Sequence, residues 1–266
     1  MKSDPKFSLL FIAGILLLIF SLFWFFHTPN RKFEKVCDEL FAEELSEDGL
    51  SLHYTLAHPD AYGIDSSNPS LPVYDRTHSL ADYEALLSAI QELEEINKDS
   101  LSVTHPQTDE LLLDYLKDES QTYAYFYYDE PLSPTSGMHS HLPVLFAEYA
   151  FYDKEDVDNY LSLLQSVPAY LKGLGEFEKD KAEEGLFMSS AACNEVITQC
   201  NKIITEEELN NQVHFLQTSF HERLETLVSE GRITTEEMNA YITANNNILS
   251  EAVLPAYKSL AHTMTT

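Results

Sequence analysis

Positive charge is what this chain has least of. Lys and Arg number 16 against 44 Asp and Glu, a formal net charge of -28. Nucleic acid and anionic headgroups are held by Lys and Arg, so a chain this acidic repels both, and nucleic-acid binding is excluded. Cationic groups and basic peptides are the small partners that such a charge favours, although a role in solubility is the reading preferred here. Cysteine is scarce too. Cys37, Cys193 and Cys200 give neither a disulfide framework nor a CxxC metal pair. Cys193 and Cys200 share one face of a helical segment but sit about 10 Å apart along its axis, too far to bridge. Buried free thiols are the expected state. No GxGxxG, P-loop or GxSxG elbow occurs, which leaves nucleotide chemistry and the serine-hydrolase elbow without support. No run sustains period-two alternation, and Ser51–Leu56 is the nearest thing to a strand.

The longest uncharged stretch runs from Phe7 to Phe26, FSLLFIAGILLLIFSLFWFF. At ~1.5 Å per residue it is long enough to cross the hydrocarbon core of a bilayer. No small-x-small cleavage site and no lipoprotein cysteine follow it, and Trp24 with its phenylalanines suits an interfacial belt, so an uncleaved anchor is expected. Lys2 and Lys6 precede the span, whereas Arg31, Lys32 and Lys35 follow it. Cation counting alone places the bulk inside. A short amino-terminal tail favours export, and the extracytoplasmic orientation is the one expected here. The boundaries then read as a tail at 1–6, a membrane anchor at 7–26, a linker at 27–36 and a helical domain at 37–262.

That domain reads as all-α. Between Asp82 and Asn97, apolar residues Tyr83, Leu86, Leu87, Ile90 and Leu93 recur at helical spacing. Another helix starts near Thr108 with Asp109 and Glu110 in its first turn, where acids suit the helix dipole. Asp153 is expected to cap a helix ending near Pro168, with Pro168 opening a fresh one that stops at Gly185. A further helix begins near Ser190. Thr205–Glu208 and Thr234–Glu237 have the form of capping boxes, with Gly231 ending the helix between them. Pro255 is expected to kink the last helix. That helix carries Ile242, Ile248, Leu249, Val253 and Leu260 and reaches the last residues without a stop signal. Apolar surface left uncovered from Thr234 to Leu260 is therefore expected, as in a longer fold cut short, although fraying at an ordinary terminus fits as well.

Three constellations bear on chemistry. His139 and His141 form an HxH pair, and in an extended segment both imidazoles would face one way, as a metal requires. A third ligand would come from Glu148 or Asp129. His221-Glu222-Arg223-Leu224-Glu225 begins like HExxH but ends in Glu, so with His214 it reads as a solvated helix face rather than a zinc motif. Tyr123, Tyr125, Tyr127 and Tyr128 with Phe126 precede the loop from Pro131 to Pro143, and read either as core or as the lining of a peptide cleft.

The stretch PLSPTSGMHSHLPVLFAEYAFYDKEDVDNYLSLLQSVPAYLKGLGEFEKDKAEEGLFM (Pro131–Met188) orders a Pro/Gly-punctuated loop, an apolar run and two helices joined at a proline. It resembles the family catalogued as domain of unknown function 885. FEKVCDELFAEELSEDGLSLHYTLAHPDAYGI (Phe33–Ile64) and NILSEAVLPAYKSL (Asn247–Leu260) fit the same pattern, so the resemblance covers about Phe33 to Leu260. It implies kinship with zinc peptidases whose metal motif, a His-Glu pair followed by Pro-Gly-His, lies in a second half that these 266 residues do not contain. By that resemblance the chain is a membrane-anchored, non-catalytic amino-terminal portion, with no catalytic residue and no cofactor of its own, zinc belonging to the other half. Its partners would be the membrane, through residues 7–26, a downstream peptidase half and a peptide substrate. Tyr125, Tyr127, Ser136 and Gly137 are the candidates for a cleft wall. A standalone membrane-tethered binding or scaffold protein, and one half of a split peptidase, are the alternatives.

Overall fold

The computed structural model describes residues 28–102 and 105–265. The apolar run Phe7–Phe26 lies outside the described residues. Among the described residues there is no β-strand, and no helix is long and apolar enough to cross a membrane. The all-α expectation holds for them. They divide into two units, residues 28–41 with 83–122, and residues 42–82 with 123–265.

Helix α1 runs Pro29–Ser46, so the segment read as linker at 27–36 carries the first turns of a helix. Helix α2 is Gly49–Thr55, the segment that read most like a strand. Asp48 decides the difference by accepting hydrogen bonds from the amides of Leu50 (2.9 Å) and Ser51 (3.2 Å), which starts a helix whatever the β-propensity behind it. Helix α3 is Arg76–Glu94 and α4 is His105–Thr122. The smaller unit buries Phe33, Val36, Ile90, Leu93, Ile96, Leu113 and Leu116 together. Within it Asp109, fully buried, meets Lys98 at 3.2 Å, which offsets the cost of a carboxylate out of water.

In the larger unit α5 is Met138–Glu148 and α6 is Lys154–Glu183. Asp153 caps α6 as expected, and with Asp156 it completes a capping box. Helix α6 does not end near Pro168; it runs through it. A proline inside a helix costs ~3 kcal/mol. Here Leu164 and Val167 before it and Tyr170 and Leu171 after it are all buried. Each such side chain is worth roughly 1.5–3 kcal/mol on the same apolar stripe, so packing outweighs the proline. Gly185, at φ 75°, then ends the helix as expected, because its left-handed backbone lets Leu186 N–H reach the Lys181 carbonyl at 3.0 Å.

Helices α7 (Ser190–Ile203), α8 (Glu206–Asn210), α9 (Phe215–Ser229), α10 (Thr235–Ile248) and α11 (Leu254–Thr263) complete this unit. Thr205 and Thr234 cap α8 and α10, but only the Thr234–Glu237 pair makes the reciprocal box. Gly231, at φ 70°, closes the segment after α9. The chain between α10 and α11 is a π-turn, Leu249–Val253, so the irregularity expected at Pro255 is taken up just ahead of it.

The expectation of uncovered apolar surface in this last region is overturned. Leu249, Val253, Leu254, Tyr257, Leu260 and Met264 are all buried in the main core, with Ile242 and Ile248 packed against it. The covering element is α6, whose Gly175 allows the approach: a Cβ there would sit 3.1 Å from Thr263 Cγ2 and 3.4 Å from Leu260 Cδ1. Cys193 and Cys200 are buried free thiols, as expected, with burial pushing Cys200 up to about 12.

Candidate functional site: a buried glutamate on an open cleft

Helix α6 carries two charged residues in its apolar stripe. Glu178 follows Leu174 by one turn and Lys181 follows Phe177 by one turn, so the register that buries the leucines buries them too. Glu178 is 1% exposed and Lys181 is 3% exposed. The ammonium of Lys181 donates to the Asp129 carbonyl at 2.6 Å. Tyr74 donates its hydroxyl to the Asp129 carboxylate and stacks edge-on against Phe177, with ring centroids 5.0 Å apart. Neither carboxylate oxygen of Glu178 has a hydrogen-bond partner among the described residues. Burial is the main cause that pushes this acid up to about 7; Lys181 opposes the rise, and Glu130 and Asp129 add to it.

Glu178 lines a cleft of about 460 Å³. Gly175 and Lys179 of α6, Cys193, Asn194 and Ile197 of α7, Phe187 and the segment 263–265 complete most of its wall. Cys193 lies near enough for Glu178 to raise its thiol further, after burial, and its Sγ donates to the Met264 carbonyl at 3.2 Å. The thiol is therefore protonated and occupied. The cleft wall offers one acid with its midpoint near neutrality and one cation, Lys179, set among apolar and neutral polar groups. Such an arrangement can bind a cation or exchange a proton.

The candidate HxH pair does not converge. Residues 138–148 are helical rather than extended, so side chains two apart point to different sides of α5. His139 is fully buried and its Nε2–H donates to Gln199 Oε1 at 2.8 Å, whereas His141 is exposed. Burial lowers the pKa of His139, against the Gln199 hydrogen bond, which keeps the ring neutral and structural. His221 is solvated and lies 3.5 Å from Glu225, as its sequence context suggested. His214 is not part of that face. It is buried, caps α9 by accepting from Leu216 N–H, and donates to the Ile203 carbonyl at 2.8 Å.

The cleft-wall candidates fall into two groups, Tyr125 with Tyr127 in the tyrosine-rich turn and Ser136 with Gly137 ahead of α5. Tyr125 is exposed and pairs with Tyr128 at 5.7 Å, whereas Tyr127 packs on Phe126 and Phe177. Arg76 lies over the neighbouring Tyr123 ring at 4.1 Å. Ser136 is exposed, within hydrogen-bond reach of Ser133 at 3.1 Å, and Gly137 begins α5. A Cβ on Gly137 would stand 2.5 Å from Ser133 N and 2.6 Å from the His139 ring, so only glycine fits.

Sequence reasoning missed Glu178, Lys181 and Arg223. The signal for the first two was a charged residue at a core register of a long apolar stripe. Arg223 had none, since its partners are backbone carbonyls: Nη1 donates to Phe146 (3.1 Å) and to Tyr149, and Nε donates to Ser219 at 3.0 Å. The guanidinium also lies 4.4 Å over Phe151, so this residue ties α9 to the end of α5. Among the described residues, Glu47, His78 and Asp82 bring three donor atoms within 4.8 Å of one another. Their i,i+4 His–Asp pair on α3, 3.7 Å apart, was legible in the sequence. Glu47 and Asp82 are exposed and His78 is half-buried, so this triad faces solvent.

Residues 60–266 match the family described as bacterial protein of unknown function (DUF885). No curated protein matches the chain. The fold is similar to the crystal structure of the putative lipoprotein from Colwellia psychrerythraea, at TM-score 0.76 and 16% identity. The similarity covers 90% of this chain and 41% of that one. The chain therefore spans about two fifths of that protein's length, and at this identity the likeness concerns the fold alone.

Proposed function

This chain belongs to the DUF885 family of bacterial proteins, and from that premise we propose that it is the membrane-anchored, non-catalytic amino-terminal portion of a zinc-peptidase-like protein. The observation that carries this reading is the one-sided coverage: nearly all of this fold matches less than half of a longer one. The sequence supports it, because no His-Glu pair followed by Pro-Gly-His occurs in the 266 residues. Catalytic zinc needs three protein ligands and a base, and no described residues converge in that way on the Glu178 cleft. Anchoring rests on Phe7–Phe26, and the short tail before it favours a helical body outside the cell. In the longer protein this body would form one wall of the substrate cleft, with zinc held by the other side.

One observation favours a second reading, that of a standalone membrane-tethered binding protein. Leu249, Val253, Leu254, Tyr257 and Leu260 of the last helices are buried in the core of their own unit rather than held out for a second half. Both readings agree that this chain does not hydrolyse peptides. Incubating the purified full chain with a peptide library, with added zinc and with chelator, tests that point. No cleavage is expected under any of these conditions; chelator-sensitive cleavage by the pure chain would overturn the non-catalytic assignment.

A further inference from the structure

We infer that Lys181 is a pH-gated latch, whose ammonium holds the turn at residues 129–137 while Glu178 is neutral and passes to the Glu178 carboxylate when that acid ionises. The inference stands apart from the peptidase reading, since it rests on one side-chain cluster of the larger unit. The two residues lie three apart on α6, a spacing at which helical side chains reach each other. Both are buried, at 1% and 3% exposure. The ammonium donates to the Asp129 carbonyl at 2.6 Å, and from there it reaches neither Glu178 oxygen, since both lack a partner. One cation therefore stands between two acceptors and serves one of them.

A buried carboxylate with no donor is far costlier than a buried neutral acid, so ionisation of Glu178 draws in the ammonium. The Asp129 carbonyl then loses its donor. Tyr74 still donates to the Asp129 carboxylate and Gln199 Nε2 to the Pro134 carbonyl at 3.0 Å, so the turn loosens from α6 without leaving it. Burial and the forfeited Asp129 bond together keep the ionised state the costlier one. The other titratable groups around Glu178 do not take over the part of Lys181. Asp129 and Glu130 of the turn add negative charge beside it. Burial raises the Cys193 thiol of α7 and the Tyr74 hydroxyl, and their hydrogens are given to Met264 and Asp129. Lys179 follows Glu178 directly and so projects about 100° away around the helix. His139, packed against Gly137 at the end of the turn, is lowered by burial and stays neutral from pH 6 upward.

Hydrogen exchange of the full chain in non-ionic detergent, compared at pH 6 and pH 8.5 after correction for the intrinsic rates, tests the latch. The amides to follow are Glu130, which donates to the Asp129 carboxylate at 2.8 Å, and Met138, which donates to the Pro131 carbonyl at 2.8 Å. With a midpoint of about 7, the ionised fraction of Glu178 rises about tenfold over that interval. Protection of the two amides, relative to amides of α6 that report global opening, should fall by about the same factor. Glu178→Gln cannot ionise and should keep the pH 6 protection at pH 8.5. Lys181→Met has no ammonium and should show the low protection at both pH values. Relative protection that does not change with pH, a loss that survives Glu178→Gln, or a Lys181→Met turn as protected as the parent at pH 6 would each overturn the inference.

Discussion

Replacing Glu178 with Gln should change the way folding stability depends on pH. The acid is raised from its ordinary 4.5 to about 7 by burial, so between those values the folded chain binds more protons than the unfolded one. Stability contributed by this group is then complete below pH 4.5, declines as pH rises, and is fully lost above about 7. A displacement of that size corresponds to roughly 3 kcal/mol, which screening by water in the cleft brings to about 2 kcal/mol. Gln keeps the size and cannot ionise. Other groups titrate in the same range, notably His53 and His139, both lowered by burial, but they are common to the two proteins. The difference between variant and parent isolates Glu178. Urea unfolding at half-unit steps from pH 5 to 8.5 should show Glu178→Gln gaining about 2 kcal/mol on the parent across the range. Parallel curves would show that Glu178 is solvated or paired in the folded chain, and the reasoning about the cleft would fail.

Arg223→Met should cost about 3–4 kcal/mol in chemical unfolding, because three charge-assisted hydrogen bonds to the Phe146, Tyr149 and Ser219 carbonyls are lost together; a loss under 1 kcal/mol would refute the tie between α5 and α9. Gly137→Ala should cost about 1–3 kcal/mol, since its methyl meets backbone at 2.5 Å, and an unchanged midpoint would contradict that geometry. Amino-terminal sequencing of membrane-extracted protein should find residues before Phe7, as an uncleaved anchor requires; a mature start beyond Phe26 would show a signal peptide instead.

Much of the helical plan was legible because it is written in local signals. Asp153, Thr205, Thr234, Gly185 and Gly231 act through backbone groups within a few residues, and each bounds its element as read. Several misreadings share one cause, which is packing across long sequence distance. Pro168 looked like a helix start because nothing local says that Leu164, Val167, Tyr170 and Leu171 are buried on both sides of it. The last helices looked uncovered because their cover, α6, lies far earlier in the chain. His139 looked like a ligand until the helix turned it away from His141 and set it against Gln199, sixty residues on. Glu178 was overlooked for a different reason: in an acidic chain one more glutamate draws no notice, and only its place in the stripe of α6 marks it.

The central structural claim is that this helical body closes on itself, with α11 seated against α6. Native-state hydrogen exchange on the full chain reads this directly. The account predicts that amides of Leu254–Thr263 exchange as slowly as those of Lys154–Glu183, through the same global opening. Fast exchange across Leu254–Thr263, with α6 still protected, would contradict it.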